Sequence, residues 1–323
     1  MKNFNSKDRI YGTIFGQAVG DAIGFGTEFV PKSKVTIKYP NGLERYEQIT
    51  RYKNIKGWQP GDWTDDTDQM LCILDSLIEL GRLDTTDIAC RFKHWAVTDG
   101  MGMGYTFSTV VLDPNYVESP ELTAIYYWES KDRLSAANGA MMRTSVLGVW
   151  QHQDYLKVIA NTTKVARLTH ADPRCIGCSV AVSLAIAAML NGDSTKDAIS
   201  LAMDLSMGYH PEMEKYWGLA RDPDLTRLQL DEGLELGNPK VGYTMKTFAA
   251  GFWALIHASN YWSGIEALIN EGGDADTNCA VAGALLGAKY GLSDIPSHLI
   301  DDLVYKHELE QKVDRLMKDE NRK

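Results

Sequence analysis

The sequence predicts an all-α fold, a single compact domain built from many helices. Apolar residues recur at spacings of three and four in residues 70–83, 180–190 and 281–288, as on the buried face of a helix. Alternating strand patterns are scarce, and residues 34–38 are the only short candidate. The turn-rich segments 31–60, 100–120 and 204–238 lack the composition of a flexible linker. We therefore expect one domain over residues 1–323, with its core at about residues 10–300.

Composition and charge argue against several classes of protein. The 323 residues are 44% hydrophobic and 24% charged, which is typical of a globular chain. The net charge of −10 argues against nucleic-acid binding, because phosphate contacts need clustered Lys and Arg. Residues 1–10 lack the apolar run of a secretory signal, and the apolar stretch 180–190 is too short to span a bilayer. We expect a cytoplasmic protein with neither a nucleic-acid nor a membrane partner.

The five cysteines fit a reducing compartment, because an odd number cannot form a complete disulfide framework. Cys175 and Cys178 form a CxxC pair, but no second pair exists to complete a zinc site. We therefore expect both to be thiols in the core of a helix.

Glycines recur every four residues near both ends of the chain, at 12, 16, 20 and 24 and again at 283, 287 and 291. This spacing places each set on one helix face. Each glycine costs about 1 kcal/mol relative to alanine inside a helix, so a close helix contact should offset that cost. The pattern predicts two tightly packed helices that hold the neighbouring segments rigidly.

Two acidic motifs directly precede predicted helices. Residues 61–68 read Gly-Asp-Trp-Thr-Asp-Asp-Thr-Asp, and residues 272–277 read Gly-Gly-Asp-Ala-Asp-Thr. A single Asp or Thr at such a position is most simply a helix cap. Capping needs one residue, however, and so many carboxylates at each helix start repel one another. A bound cation explains the density better.

The kinds of side chain indicate which metal would bind. Carboxylate and hydroxyl oxygens without His or Cys suit Mg²⁺, Mn²⁺ or Ca²⁺ rather than zinc or copper. If Asp65, Asp66, Asp274 and Asp276 converge, their four negative charges balance two divalent cations. The spacing therefore indicates a two-metal site for hydrolysis, without indicating the substrate.

At these motifs the sequence resembles the ADP-ribosylglycohydrolase family, which includes dinitrogenase-reductase-activating glycohydrolase and the vertebrate ADP-ribosyl hydrolases. The resemblance extends from about Ile10 to Pro296. It rests on five segments in order: the glycine helix 12–24 followed by Glu28, the Thr64-Asp65-Asp66-Thr67 motif, Asn138-Gly139-Ala140-Met141-Met142-Arg143 with Thr169-His170 downstream, Val241-Gly242-Tyr243-Thr244, and Gly272-Gly273-Asp274-Ala275-Asp276-Thr277 closed by Ile295-Pro296.

The resemblance implies an all-helical fold with two metals at the base of a cleft. The metals would bind the ribose hydroxyls and orient a water towards the anomeric carbon, with Glu28 beside the ribose as a labile ligand or as the base. We thus expect catalytic roles for Glu28, Asp66 and Asp276. The implied metal ligands are Thr64, Asp65, Asp66, Asp274, Asp276 and Thr277.

The resemblance also implies substrate-binding loops. Residues 99–105 match the family's diphosphate loop, in which glycine amides cradle phosphate. Leu134, Ala136 and Ala137 depart from the more glycine-rich and aromatic pattern of some relatives in the second phosphate loop, which bears on the linkage preference. The expected substrate-binding residues are Gly100, Gly102, Gly104, Tyr105, Ser135, Asn138, Gly139 and His170.

The function this implies is metal-dependent removal of ADP-ribose from a protein side chain, with arginine as the first candidate. One alternative is hydrolysis of a serine-linked, nucleic-acid-linked or free acetylated conjugate. A two-metal phosphohydrolase would instead cut the diphosphate and yield AMP. A third alternative is a non-catalytic, crystallin-like structural relative, against which the intact acidic motifs argue.

Overall fold

The fold is helical throughout the part of the chain that the computed structural model describes, residues 5–50 and 57–320. Its α-helices, in chain order, are α1 (Ser6–Gly24), α2 (Lys32–Lys38), α3 (Asp65–Leu80), α4 (Thr85–Thr98), α5 (Tyr105–Val111), α6 (Pro120–Ser130), α7 (Ser145–Val149), α8 (Tyr155–Arg167), α9 (Pro173–Leu190), α10 (Thr195–Ser206), α11 (Glu212–Arg221), α12 (Thr244–His257), α13 (Tyr261–Glu271), α14 (Ala275–Tyr290), α15 (Ser297–Asp301) and α16 (Lys306–Glu320). Short 3-10 helices span Tyr46–Gln48, Asn138–Arg143, Leu225–Leu228 and Leu292–Asp294. The predicted all-α class is confirmed.

Helices α1 and α14 pack backbone against backbone through the two glycine sets. A methyl group on Gly16 would overlap the carbonyl oxygen of Gly283, and one on Gly20 would overlap that of Cys279. Alanine at either position would force the helices apart. The predicted close contact is confirmed, and it fixes the end of α1 beside the start of α14, where the second acidic motif lies.

Helix α9 lies at the centre of the bundle and contacts α7, α8, α10 and α12. By length and composition it is apolar enough to cross a membrane, but 89% of it is buried inside the protein, as is typical of a core helix. Cys175 and Cys178 lie on α9 as buried free thiols, which confirms their predicted place in a helix core.

Residues 34–38 are not a strand; they lie within helix α2. A strand needs a partner for its backbone N–H and C=O groups, whereas a helix satisfies them within the segment. Of the two apolar side chains here, Val35 is buried and Ile37 is 78% exposed. The three turn-rich segments also contain helices that composition did not indicate, namely α2, α5, α11 and short 3-10 turns. Residues 51–56 of the first segment lie outside the described residues.

Two isolated antiparallel bridges join loops that are distant in sequence, Val30 to Gly273 and Ala137 to Tyr243. In the first, Gly273 N donates to Val30 O (3.0 Å). In the second, Thr244 N donates to Ala136 O (3.0 Å). The first bridge places the segment around Glu28 against the start of α14, and the second places the segment around Asn138 against the start of α12.

Candidate active site

The first acidic motif forms the N-terminus of α3. Thr64 caps this helix by accepting a hydrogen bond from the Asp66 amide (3.4 Å). Asp66 is almost fully buried, and its Oδ2 accepts from the hydroxyls of Thr64 (3.1 Å) and Thr277 (3.4 Å). Its other oxygen, Oδ1, is buried without a hydrogen-bond partner. An unpaired buried carboxylate oxygen is costly, so this atom needs a ligand.

The second acidic motif forms the N-terminus of α14. Asp274 occupies the N-cap position, but its side chain makes no capping hydrogen bond. Its Oδ2 accepts instead from Asn138 Nδ2 (2.6 Å). Asp276, in the first turn, accepts from the amide of Thr277 (2.9 Å). Helix capping therefore accounts for Thr64 and leaves Asp274 unexplained.

Glu28 reaches the second motif through the first of the two bridges. Phe29 N donates to Gly273 O (2.6 Å), and Phe29 has a positive φ of 54°. This left-handed conformation is strained for a residue other than glycine, and such strain concentrates at functional sites. As a result, carboxylate oxygens of Glu28, Asp274 and Asp276 lie within 4.8 Å of one another.

The electrostatics of the cluster favour neutralisation. Burial, followed by repulsion from neighbouring carboxylates, raises the pKa values of Asp65, Asp66 and Asp276 well above their usual range. Burial also raises the pKa of Asp274. A carboxylate in such surroundings takes up a proton or a cation.

Asp21, on the last turns of α1, holds the first motif in place. Its carboxylate accepts hydrogen bonds from Thr64 N (3.0 Å), Thr67 N (3.0 Å) and Thr67 Oγ1 (2.6 Å). Burial raises its pKa to about 7, although the hydrogen bonds from Thr67 and Thr64 oppose that shift. Sequence reasoning assigned it no role. The available signal was a polar stripe, Thr13, Gln17 and Asp21, at a spacing of four on a helix expected in the core.

A cleft of about 240 Å³ opens over the two motifs. The predicted site residues that line it are Glu28, Asp65, Asp66, Gly102, Gly104, Tyr105, Asn138, Gly139, His170, Asp274, Asp276 and Thr277. Segments far apart in sequence thus meet on one surface.

Three predicted site residues do not line this cleft. Thr64 lies behind Asp66 as the helix cap. Gly100 packs towards the last turn of α4, near the carbonyl of Ala96. Ser135 contacts the cleft only through Thr106, a lining residue whose hydroxyl lies 3.2 Å from Ser135 Oγ. The metal-binding, catalytic and substrate-binding roles of all the predicted site residues stay predictions, including the ligand role of Thr64 and the substrate roles of Gly100 and Ser135.

The sequence profile of the family described as ADP-ribosylglycohydrolase matches residues 3–323. The chain belongs to this family. It is 25% identical over 320 residues to an ADP-ribosylarginine hydrolase of Serratia proteamaculans, covering 96% of this chain and 79% of that protein. It is 28% identical over 317 residues to the ADP-ribosyl-[dinitrogen reductase] glycohydrolase of Rhodospirillum rubrum, covering 96% of each.

A solved structure described as an ADP-ribosylglycohydrolase-related protein complex matches with a TM-score of 0.68 and 26% identity. The match covers 97% of this chain and 98% of that one. The chain therefore has the fold of the ADP-ribosylglycohydrolase family and is an ADP-ribosyl hydrolase, a glycosidase.

Proposed function

We propose that this ADP-ribosylglycohydrolase releases ADP-ribose from a modified protein side chain, arginine first, and that it needs two Mg²⁺ or Mn²⁺ ions. The observation that carries the proposal is the convergence of two acidic helix N-termini around Asp66, whose buried Oδ1 has no partner. The arginine preference draws on the named activity of the Serratia relative. The cytoplasmic location expected from the cysteines accords with an intracellular protein substrate.

The residues present fit such ions. The donor set consists of carboxylate and hydroxyl oxygens, which suit hard divalent cations. The ligands would be Thr64, Asp65, Asp66, Asp274, Asp276 and Thr277. When bound, the ions would polarise ribose hydroxyls and help to activate a water.

The chain's own residues would divide the remaining tasks. Glu28, held beside the second motif by the Phe29–Gly273 hydrogen bond, is placed to take a proton from the attacking water. The water oxygen would bond to the anomeric carbon as the bond from that carbon to the side-chain nitrogen breaks, and the proton that Glu28 took from the water would pass to the departing nitrogen. Asn138 orients Asp274 through a 2.6 Å hydrogen bond. Gly102 and Gly104 line the cleft, where their backbone amides would bind the diphosphate.

The test is a panel of defined substrates, with ADP-ribose on arginine, on serine, on a nucleic-acid end and on acetate. Each is incubated with Mg²⁺, Mn²⁺ or EDTA, and the products are separated. We expect intact ADP-ribose from at least the arginine conjugate, and none in EDTA or with Asp66→Asn. AMP as the only product, or turnover that survives exhaustive chelation, would contradict the proposal. If the enzyme prefers another conjugate, the proposed hydrolysis of the ribosyl bond stands, and that conjugate replaces arginine as the proposed substrate.

A further inference from the structure

Arg143, at the end of the 3-10 helix Asn138–Arg143, is completely buried and directly follows Met142, which lines the cleft. Its guanidinium carbon lies 4.5 Å from the ring centre of Phe92 and 5.5 Å from that of Phe107. Burial lowers its pKa to about 10, so the side chain is a cation at neutral pH. A buried cation is costly unless its hydrogen bonds are well placed, so its partners indicate its role.

One side of Arg143 faces the first acidic motif. Its Nη1 donates to Gln69 Oε1 (2.9 Å), and Gln69 Nε2 donates to Asp65 Oδ2 (2.9 Å). The amide of Gln69 is therefore oriented by the arginine and can only offer its N–H to the carboxylate.

The other side of Arg143 faces His170. Its Nη2 donates to Thr169 Oγ1 (2.5 Å), and this hydroxyl lies 2.7 Å from His170 Nδ1. The arginine can only donate, so the hydroxyl oxygen accepts. In the described part of the chain, the only other partner of that hydroxyl is His170 Nδ1. The hydroxyl hydrogen is satisfied if it is donated there, which leaves Nδ1 as acceptor and places the ring proton on Nε2.

His170 Nε2 is buried without a hydrogen-bond partner, and His170 lines the cleft beside Gly139. A Cβ on Gly139 would lie 3.4 Å from this nitrogen and 3.2 Å from His170 Cε1, so a side chain at position 139 would crowd this edge of the ring. Burial, followed by the charge of Arg143, lowers the pKa of His170 to about 3, which keeps the ring neutral. The ring therefore presents one N–H donor to the cleft.

We infer that Arg143 is a positioning residue that acts through Thr169 to fix His170 as the Nε2–H tautomer, so that His170 donates to an acceptor oxygen of the substrate. The identity of that substrate rests on the proposed function, whereas the tautomer does not. The same cation orients Gln69 towards Asp65, so one buried group aligns both walls of the cleft.

The first experiment measures the tautomer directly, from imidazole ¹⁵N shifts of histidine-labelled protein, with His170→Gln used to assign the signal. Wild type and Thr169→Ser, which keeps the hydroxyl, should show Nε2–H. Thr169→Val and Thr169→Ala, which remove the hydroxyl, should show a mixture or the Nδ1–H form. The matched control is Thr162→Val, at another fully buried threonine whose hydroxyl has no partner, and it should retain Nε2–H.

The second experiment measures the affinity for ADP-ribose by calorimetry. Thr169→Val should bind about tenfold more weakly, the scale of one lost hydrogen bond. Thr169→Ser should restore binding, and Thr162→Val should leave it unchanged.

An Nδ1–H tautomer in wild type, or Nε2–H retained in both Thr169→Val and Thr169→Ala, would overturn the inference. If wild type does not bind ADP-ribose, the proposed function fails, and the tautomer measurement still tests the hydrogen-bond chain from Arg143 through Thr169 to His170. If neither Thr169→Val nor Thr169→Ala folds, an Nε2–H tautomer in wild type supports the inference and an Nδ1–H tautomer overturns it.

Discussion

The two ends of the cleft are built differently. At the acidic end, Asp66 and Asp276 lie buried in the first turns of α3 and α14, and Asp66 accepts a hydrogen bond from Thr277 of α14. At the loop end, Tyr105 is 69% exposed, and no other described residue comes within 4 Å of a Cβ built on Gly104. One end is fixed by helices, whereas the other has few neighbours to fix it.

We infer from this difference that the acidic end carries out the hydrolysis and that the loop end determines which substrate is preferred. Groups that act on the ribosyl bond must be held precisely, and helix termini packed on glycine faces can do so. Contacts with the rest of the substrate tolerate variation, and loops on a rigid scaffold commonly supply them. We therefore expect substitutions at the acidic end to reduce turnover strongly for every substrate, and substitutions at the loop end to change preference by smaller factors.

The largest effect is expected at Glu28. Glu28→Gln keeps the size of the side chain and removes its basicity, so turnover should fall by about 100-fold or more, the scale of a positioned acid–base group. Metal affinity should weaken less than for an aspartate variant, because Glu28 lies outside the two dense motifs. The measurement is kcat together with a Mn²⁺ titration.

Glu47→Gln is the control, since Glu47 is an exposed glutamate that does not line the cleft. It should keep wild-type turnover. Near-normal turnover in Glu28→Gln would show that Glu28 is a solvated loop residue that takes no part in the reaction at the acidic end.

A smaller effect is expected at Asp21, which does not line the cleft. In Asp21→Asn one carboxylate oxygen becomes an amide NH2 group, which cannot accept a hydrogen bond from Thr64 or Thr67, so the α3 N-terminus should lose its alignment. Metal affinity should fall by about 10- to 100-fold, as for other partners of ligand residues. Asp154→Asn, at an ordinary helix cap on α8, should change nothing. Unchanged affinity in Asp21→Asn would show that α3 alone aligns the motif.

The smallest effect is expected at the loop end. Tyr105→Ala should raise KM by about three- to tenfold through the loss of one aromatic contact, with kcat nearly unchanged. Tyr126→Ala is the matched control, because Tyr126 is equally exposed on α6 and does not line the cleft. A drop in kcat as large as that of Glu28→Gln would mean that the two ends are not distinct.

The sequence predicted the acidic end better than the loop end for a physical reason. Helix periodicity, the glycine spacing and the dense carboxylates are local patterns. They indicate, in that order, burial of one helix face, close packing of two helices and binding of a cation. The glycine spacing predicted a close helix contact, which α1 and α14 make. The convergence of the acidic motifs was only a condition of the two-metal hypothesis, and the hydrogen bond from Thr277 to Asp66 brings the two motifs together.

What the sequence could not predict depends on contacts between distant segments. The role of Asp21 arises from hydrogen bonds to residues more than 40 positions away. The expected strand at residues 34–38 was wrong, because strand formation depends on a partner that a single segment does not reveal. Ser135 and Gly100 share the residue types of phosphate loops, yet neither lines the cleft, because the path of the backbone decides which loop residues reach it.

We expect the two acidic motifs to form one cation site. In the absence of metal, the buried carboxylates repel one another at neutral pH. A cation that binds the folded state stabilises it by about 2.7 kcal/mol at a hundredfold excess over Kd, which raises the melting temperature by several degrees. If the acidic residues served only as helix caps, metal would not raise the melting temperature. Asp276→Asn would also change it little, because Asn caps about as well as Asp.

Thermal melts of wild type and Asp276→Asn, each in EDTA and in excess Mg²⁺, test this claim most directly. Wild type should melt several degrees higher with Mg²⁺. Asp276→Asn should melt at the same temperature as wild type or slightly higher in EDTA, because one repelling charge is gone, and it should lose most of the Mg²⁺-induced rise. A wild-type melting temperature that does not respond to Mg²⁺ or Mn²⁺ would contradict the two-metal site.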